Sequence, residues 1–101
     1  MKPVVFHPHA EKDLDDAMAY YESRRDGLGL SFQAEVQRVV QLVQRHPERW
    51  AQYKQTSYRK CSIKRFPYVL FYLDMEQSIW IAAVAHQKRK PGYWSQRRPN
   101  S

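Results

Sequence analysis

Residues 68–85, YVLFYLDMEQSIWIAAVA, decide the fold of this chain. Two apolar runs, Tyr68 to Leu73 and Ile79 to Ala85, are separated by the polar loop Met75-Glu76-Gln77. Runs of this length that are apolar on both faces are typical of strands in the middle of a sheet. Because the loop between them is short, the two strands are predicted to form an antiparallel hairpin.

The segments before this hairpin predict one more strand, two helices and an edge strand. Apolar residues recur at every second position in the predicted strands and at every third or fourth position in the predicted helices. Pro8 marks the start of the first helix, and Gly27-Leu28-Gly29 and Pro47 mark the helix ends. The predicted elements are a strand over Pro3 to His7, a helix from Pro8 to about Arg25, a helix from about Ser31 to Arg45, and a strand over Tyr58 to Lys64.

The predicted order is therefore β-α-α-β-β-β, an α+β fold with an antiparallel sheet and a helical hairpin packed on one of its faces. The first strand is expected at an edge of the sheet. The opposite face is expected to be open, concave and lined by basic residues. Residues 1–94 are predicted to form a single domain, and residues 95–101 a C-terminal tail whose order the sequence leaves open.

Charge is distributed unevenly over the 101 residues, whose formal net charge is +7. Residues 1–50 carry seven Lys/Arg against eight Asp/Glu, whereas residues 51–101 carry ten against two. This asymmetry favours an anionic partner such as nucleic acid, an acidic protein or a membrane surface, with solubilising charge as the alternative. The single cysteine, Cys61, and the lack of a long apolar run or signal-peptide pattern predict a cytoplasmic protein without a membrane partner.

Two groups of cations are candidates for binding an anionic target. Arginine and lysine on or beside the strand over Tyr58 to Lys64 bind phosphates well, although a solvated strand edge explains them equally. A second run follows the last strand, where cations alternate with aromatic rings that suit base stacking. The two groups are Arg59, Lys60, Lys64 and Arg65, and Lys88, Arg89, Lys90, Tyr93 and Trp94.

His86 is the candidate for proton transfer, because its unperturbed pKa lies near neutrality. The alternatives are a structural role for His86 and, for Trp94, packing back onto the core, which is the favoured interpretation of that residue. No Cys/His spacing fits a zinc site and no glycine-rich phosphate loop occurs, so neither metal nor cofactor is predicted. The acidic residues at the start of the first helix, Glu11, Asp13, Asp15 and Asp16, are interpreted as structural.

Four motifs resemble the RelE/ParE toxin superfamily over about residues 4–94. They are Phe6-His7-Pro8-x-Ala10-x-x-Asp13-Leu14-x-x-Ala17-x-x-Tyr20-Tyr21, Gly29-x-x-Phe32-x-x-Glu35-Val36 with His46-Pro47, Arg65-Phe66-Pro67-Tyr68-x-Leu70-Phe71-Tyr72, and Val84-Ala85-His86-x-x-Arg89-x-Pro91-x-x-Trp94. The resemblance implies the toxin of a type II toxin–antitoxin system, of the kind called plasmid stabilisation proteins. It also implies a cognate antitoxin and a toxin–antitoxin hetero-oligomer.

The superfamily divides by target. The His86-x-x-Arg89 ending resembles the ParE branch, which implies DNA gyrase as the target. Val69, Leu70 and Phe71 stand where RelE-type ribonucleases carry a strand arginine. The alternative is a RelE-like nuclease that cuts ribosome-bound mRNA, with His86 and Tyr93 as catalytic residues. A second alternative, from the charge alone, is a non-enzymatic nucleic-acid-binding module.

Overall fold

The computed structural model describes residues 1–99 and confirms the predicted α+β architecture and element order. The elements are β1 (Val4–Phe6), α1 (Pro8–Arg24), α2 (Leu28–Arg45), β2 (Arg59–Ile63), β3 (Tyr68–Asp74) and β4 (Ile79–His86). Within this part of the chain, neither helix combines the length and the apolar character needed to cross a membrane.

The four strands form one sheet in the order β1-β4-β3-β2. The hairpins β2–β3 and β3–β4 pair antiparallel, as their short connections require. β1 lies at the edge, as predicted, but it runs parallel to β4, with Val4 opposite Ile79 and Phe6 opposite Ile81. The prediction of an antiparallel sheet holds for β2, β3 and β4 but not for β1, so the sheet is mixed. Because the whole helical hairpin separates β1 from the other strands, no tight turn imposes antiparallel pairing on it.

β4 contains a β-bulge at Ala82. Phe71 of β3 pairs with Ala83 and Tyr72 pairs with Ile81, so Ala82 has no partner on β3. An extra residue on one strand shifts the alternation of its side chains by one position. The side chains of β4 that pack with the helices are Ile79, Ile81 and Val84, and those on the opposite face are Trp80, Ala82, Ala83 and Ala85.

α2 begins at Leu28, three residues earlier than the predicted Ser31. Gly27 precedes it with a φ of 85°, in the left-handed region that favours glycine. Glu22 of α1 supplies the cap, since its two carboxylate oxygens accept hydrogen bonds from the backbone N–H groups of Gly27 and Gly29 at 2.9 and 3.0 Å. These bonds satisfy donors that a helix N-terminus leaves unpaired, which is why Gly29 is helical instead of helix-breaking.

Both faces of the sheet are covered by apolar side chains. On one face, α2 buries Phe32, Val36, Val39 and Val43 against the strands. On the other face, Trp94 is only 2 % exposed and packs in a cluster with Phe71 and Trp80. The prediction that this second face is open and lined by basic residues was therefore wrong where Trp94 and the rest of this cluster cover it. The small alanines of β4 leave room there for the large indole ring, whose burial is strongly favourable.

Gly29 provides a test of how tightly the two helices pack. A Cβ at this position would lie 2.6 Å from the carbonyl oxygen of Met18 and 3.1 Å from Oε1 of Glu22. We expect Gly29→Ala to lower the free energy of unfolding by about 1–3 kcal/mol, because backbone has to move to accept the methyl group. Urea unfolding followed by circular dichroism measures the change.

The neighbouring Leu30→Ala is the control, since Leu30 is 66 % exposed. We expect it to alter stability by less than about 0.5 kcal/mol. Equal unfolding midpoints for the two variants would contradict the close approach of the helices.

Candidate functional site

The second half of β4 has an outer edge that no strand covers, because β1 pairs only with residues 79–81. Two side chains bind the backbone there instead. The N–H of Val84 donates to Oδ2 of Asp13 at 3.1 Å, and the carbonyl of Ala82 accepts from Nη1 of Arg97 at 2.9 Å. Buried backbone groups need such partners, so these two side chains make the hydrogen bonds that a neighbouring strand would otherwise make.

The carboxylate of Asp13 joins three parts of the chain. Besides Val84, it accepts hydrogen bonds from the hydroxyl of Tyr93 at 3.3 Å and from the guanidinium of Arg97 at 2.8 and 3.4 Å. The side chains of Asp13 and Arg97 are 12 % and 13 % exposed. A charge pair this far removed from water is stable only when hydrogen bonds satisfy its remaining atoms, and these bonds do so.

Tyr93 connects this ion pair to Arg89. The guanidinium carbon of Arg89 lies 3.9 Å from the centre of the Tyr93 ring, and that of Arg97 lies 5.2 Å from it. Burial raises the pKa of Tyr93 to about 12, and the negative charge of Asp13 acts in the same direction. The phenol therefore stays protonated at neutral pH, and its O–H group donates a hydrogen bond to Asp13. The aromatic ring of Tyr93 meanwhile binds the Arg89 cation.

His86 is half-buried at the end of β4, and two contacts fix its ring. Nδ1 accepts a hydrogen bond from the backbone N–H of Lys88 at 3.0 Å. The ring also meets Tyr68 edge-on, with 5.1 Å between ring centres. The histidine thus terminates the strand and shapes the turn that carries the cations.

A pocket of about 320 Å³ lies between the second face of the sheet and this turn. We call it the basic pocket. Its polar lining consists of Lys60, Ser62, His86, Gln87, Arg89 and Lys90, and its aromatic lining of Tyr53, Phe71, Tyr93 and Trp94. Among residues 1–99, no Asp or Glu lines this pocket. A separate groove of about 360 Å³ lies on the α1 side, where Asp13 and Asp16 face His86, Arg89 and Tyr93.

The structure brings together some of the predicted site residues. Lys60 and Arg89 line the basic pocket, with the two candidate catalytic residues, His86 and Tyr93. Trp94 also borders the pocket, but its ring is packed 4.4 Å from that of Phe71 and is almost wholly buried. In this conformation Trp94 is unavailable for stacking on a ligand, and it packs on the core as the favoured interpretation has it.

The other predicted cations lie elsewhere. Lys64 and Arg65 are exposed in the β2–β3 turn, where Arg65 has a φ of 73°. Lys88 is exposed beside the basic pocket without lining it. Arg59 belongs to the helix side of β2 and donates to the carbonyl of Trp50 at 2.6 Å, so it anchors the long connector before β2.

Sequence reasoning missed the role of Asp13 and Arg97. Asp13 was interpreted only as a charge at a helix start, and Arg97 falls in the segment treated as a tail. Eighty-four residues separate them, so no local spacing signals their pairing. Ser62 was also missed as a pocket residue, although the alternation of β2 places it on the same face as Lys60. Among the described residues, no three His, Cys, Asp or Glu side chains are grouped so as to hold a metal ion.

Comparison with protein families matches residues 4–91 to the ParE toxin of type II toxin–antitoxin system, parDE. The chain belongs to this family. The ParE match ends at Pro91, so Tyr93, Trp94 and Arg97 lie beyond it.

The fold of this ParE-family chain is also found in a chain of the chromosomal ParDE TA system from P. aeruginosa. The TM-score is 0.73 at 18 % sequence identity, and the match covers 85 % of this chain and 96 % of that one. Comparison with curated protein sequences gives no significant match.

The ion pair gives a stability prediction. Asp13→Asn keeps the size of the side chain but leaves Arg97 largely buried without its counter-charge. We expect the free energy of unfolding to fall by about 3 kcal/mol, as measured by urea denaturation at neutral pH. Asp16→Asn is the control, since its salt bridge with Lys12 is exposed, with side-chain exposures of 67 % and 70 %. The control should cost about 0.5 kcal/mol or less, and equal losses for both variants would refute the buried pair.

Tyr93 gives a prediction of pH dependence. Its pKa of about 12 lies above the ordinary value of 10.0, so the folded state holds the phenolic proton more tightly than the unfolded state. The resulting stability is complete below about pH 10 and is lost as the pH rises through about 12. Tyr93→Phe removes this titration but keeps the ring under Arg89. We expect the stability gap between wild type and variant to shrink between about pH 9 and about pH 11, whereas a constant gap would exclude the linkage.

Proposed function

We propose that this ParE-family protein inhibits bacterial growth by binding DNA gyrase and that a cognate antitoxin neutralises it. The family match over residues 4–91 is the observation that carries this proposal. The ParDE system whose chain shares the fold is itself a toxin–antitoxin system, which supports an antitoxin partner here as well.

The geometry around β4 supports binding over catalysis. A nuclease needs side chains that are free to exchange protons with a substrate. The hydroxyl of Tyr93 instead donates to Asp13. Nδ1 of His86 accepts from the backbone N–H of Lys88, which leaves only Nε2 of that ring for proton exchange. By contrast, Lys60, Arg89 and Lys90 are exposed around the basic pocket. This arrangement suits a surface that grips an acidic protein.

The basic half of the chain contributes a wider electrostatic field. We propose that Arg59, Lys64, Arg65 and Lys88 add to this field and that Lys60, Arg89 and Lys90 make the direct contacts. Such a field accelerates encounter with an acidic partner and becomes weaker as salt is added. An acidic antitoxin fits the same charge, as a toxin–antitoxin hetero-oligomer in the cytoplasm. Plasmid stabilisation is the biological role that the superfamily resemblance implies.

The two alternative functions make different demands. A ribosome-dependent mRNA endonuclease would use His86 and Tyr93 as catalytic residues, which requires Tyr93 to give up its bond to Asp13. A nucleic-acid-binding module would show affinity that falls steeply with salt, because each phosphate contact releases a counterion. Neither is favoured by a specific contact among the described residues.

The proposal is tested with purified toxin, gyrase and relaxed plasmid. We expect inhibition of supercoiling by the wild type, its relief by the product of the neighbouring reading frame, and intact mRNA in a coupled translation reaction. Arg89→Ala should weaken inhibition roughly ten- to a hundredfold, because charge-assisted contacts of this kind contribute about 1.5–3 kcal/mol. Supercoiling that continues at high toxin excess would refute the gyrase target, and cuts within translated mRNA would establish the nuclease instead.

Arg25→Ala is the matched control, because Arg25 is an exposed arginine at the end of α1, away from the basic pocket. It should leave inhibition within about twofold of the wild type, as expected for one remote charge.

A further inference from the structure

The basic pocket combines one sign of charge with limited room. Lys60 comes from β2, while Arg89 and Lys90 come from the turn after β4, so cations from two separate elements meet at one cavity. The pocket volume of about 320 Å³ accommodates a side chain and its neighbours but no folded element. The hydroxyl of Ser62 and the ring of His86 add polar groups to the lining.

Arg89 is held in place before any partner arrives. Its guanidinium lies 3.9 Å from the centre of the Tyr93 ring, and the Tyr93 hydroxyl is bound by Asp13. Asp13 is in turn fixed by Arg97 and by the backbone of Val84. A long side chain that is already ordered loses less entropy on binding. Asp13 and Tyr93 are therefore positioning residues for Arg89.

The aromatic lining does not offer a platform for a nucleic-acid base. Phe71 and Trp94 are 8 % and 2 % exposed, and Arg89 covers one face of the Tyr93 ring. The half-buried Tyr53 meets Phe71 edge-on and has Nζ of Lys54 5.2 Å from its ring centre. Base recognition by single-strand binders depends on exposed aromatic faces. A carboxylate needs only the cations and hydrogen-bond donors that the pocket presents, and arginine binds it bidentately.

We infer that the basic pocket receives a carboxylate side chain from an acidic segment of the protein on which the toxin acts. This inference rests on the proposed function and specifies its contact chemistry. The target, and not the antitoxin, is the assigned partner because the toxin acts when it is free of antitoxin. Lys60, Arg89 and Lys90 line an accessible pocket, whose positive charge complements the free carboxylates of an acidic segment.

The test uses the full chain with a capped hexaglutamate peptide and, in parallel, a thymidine hexanucleotide. Binding is followed by NMR amide shifts and fluorescence anisotropy. We expect the peptide to shift the amides of Lys60, Ser62, Arg89 and Lys90, and to bind more tightly than the oligonucleotide. Lys90→Ala should weaken peptide binding roughly three- to tenfold, since it removes one charge-assisted contact.

Lys88→Ala is the matched control. It removes the same charge two residues away, from a side chain that does not line the pocket. It should weaken peptide binding by less than about twofold, through the general field alone. Equal losses for the two lysine variants would show a diffuse charge effect and overturn the inference, as would tighter binding of the oligonucleotide at the same amides.

The supercoiling assay separates this inference from the proposed function. If the wild type inhibits gyrase and Lys90→Ala inhibits less well than Lys88→Ala, both stand. If the wild type inhibits gyrase but the two variants inhibit equally, the pocket is not the contact and the inference fails alone. If the wild type leaves gyrase active, the target assignment fails, whatever the peptide result.

Discussion

The carboxylate of Asp13 is the group on which the functional end of this molecule depends. It binds the backbone of β4 at Val84, the hydroxyl of Tyr93 and the guanidinium of Arg97. Removal of this one carboxylate would therefore take a hydrogen-bond partner from a strand edge, an aromatic residue and the C-terminal segment together. Because hydrogen-bonded networks away from water contribute more than their separate pairs suggest, these three parts of the chain are expected to order cooperatively. The outer edge of β4 is also protected, since side chains occupy the backbone groups to which another strand would bind.

The β-bulge at Ala82 determines which side chains of β4 pack in the hydrophobic cluster on each face of the sheet. Without the extra residue, the alternation that places Ile79 and Ile81 toward the helices would place Ala83 there and turn Val84 to the other face. The bulge also brings the carbonyl of Ala82 and the N–H of Val84 to the same outer edge, where Arg97 and Asp13 bind them. A single irregularity thus sets both the packing of the sheet and the attachment of the C-terminal segment.

The sequence was sufficient for the elements and their order because periodicity is a local property. The runs from Tyr68 and from Ile79 could be identified from a few residues each, and so could the helix that starts at Pro8. What could not be predicted depends on contacts between distant residues. The early start of α2 requires Glu22 from the preceding helix, and the cover on the second face of the sheet requires the C-terminal segment to fold back. For the site, composition identified the basic half, but only the fold could show that Lys60 and Arg89 share a pocket while Arg59 lies on the other face.

The residues that first suggested catalysis have contacts that explain a different use. A tyrosine that serves as a nuclease group has to present its hydroxyl to substrate, whereas that of Tyr93 is bound to a carboxylate and its ring supports a cation. Aromatic support and a second layer of hydrogen bonds are means by which proteins hold a binding side chain in one orientation. Arg89 lies between the basic pocket and the groove that contains Asp13 and Asp16. Its surroundings hold it in one orientation in the same way. Asp13 holds the tyrosine whose ring supports the arginine, while the pocket side, which has no acid among the described residues, presents its positive charge to a partner.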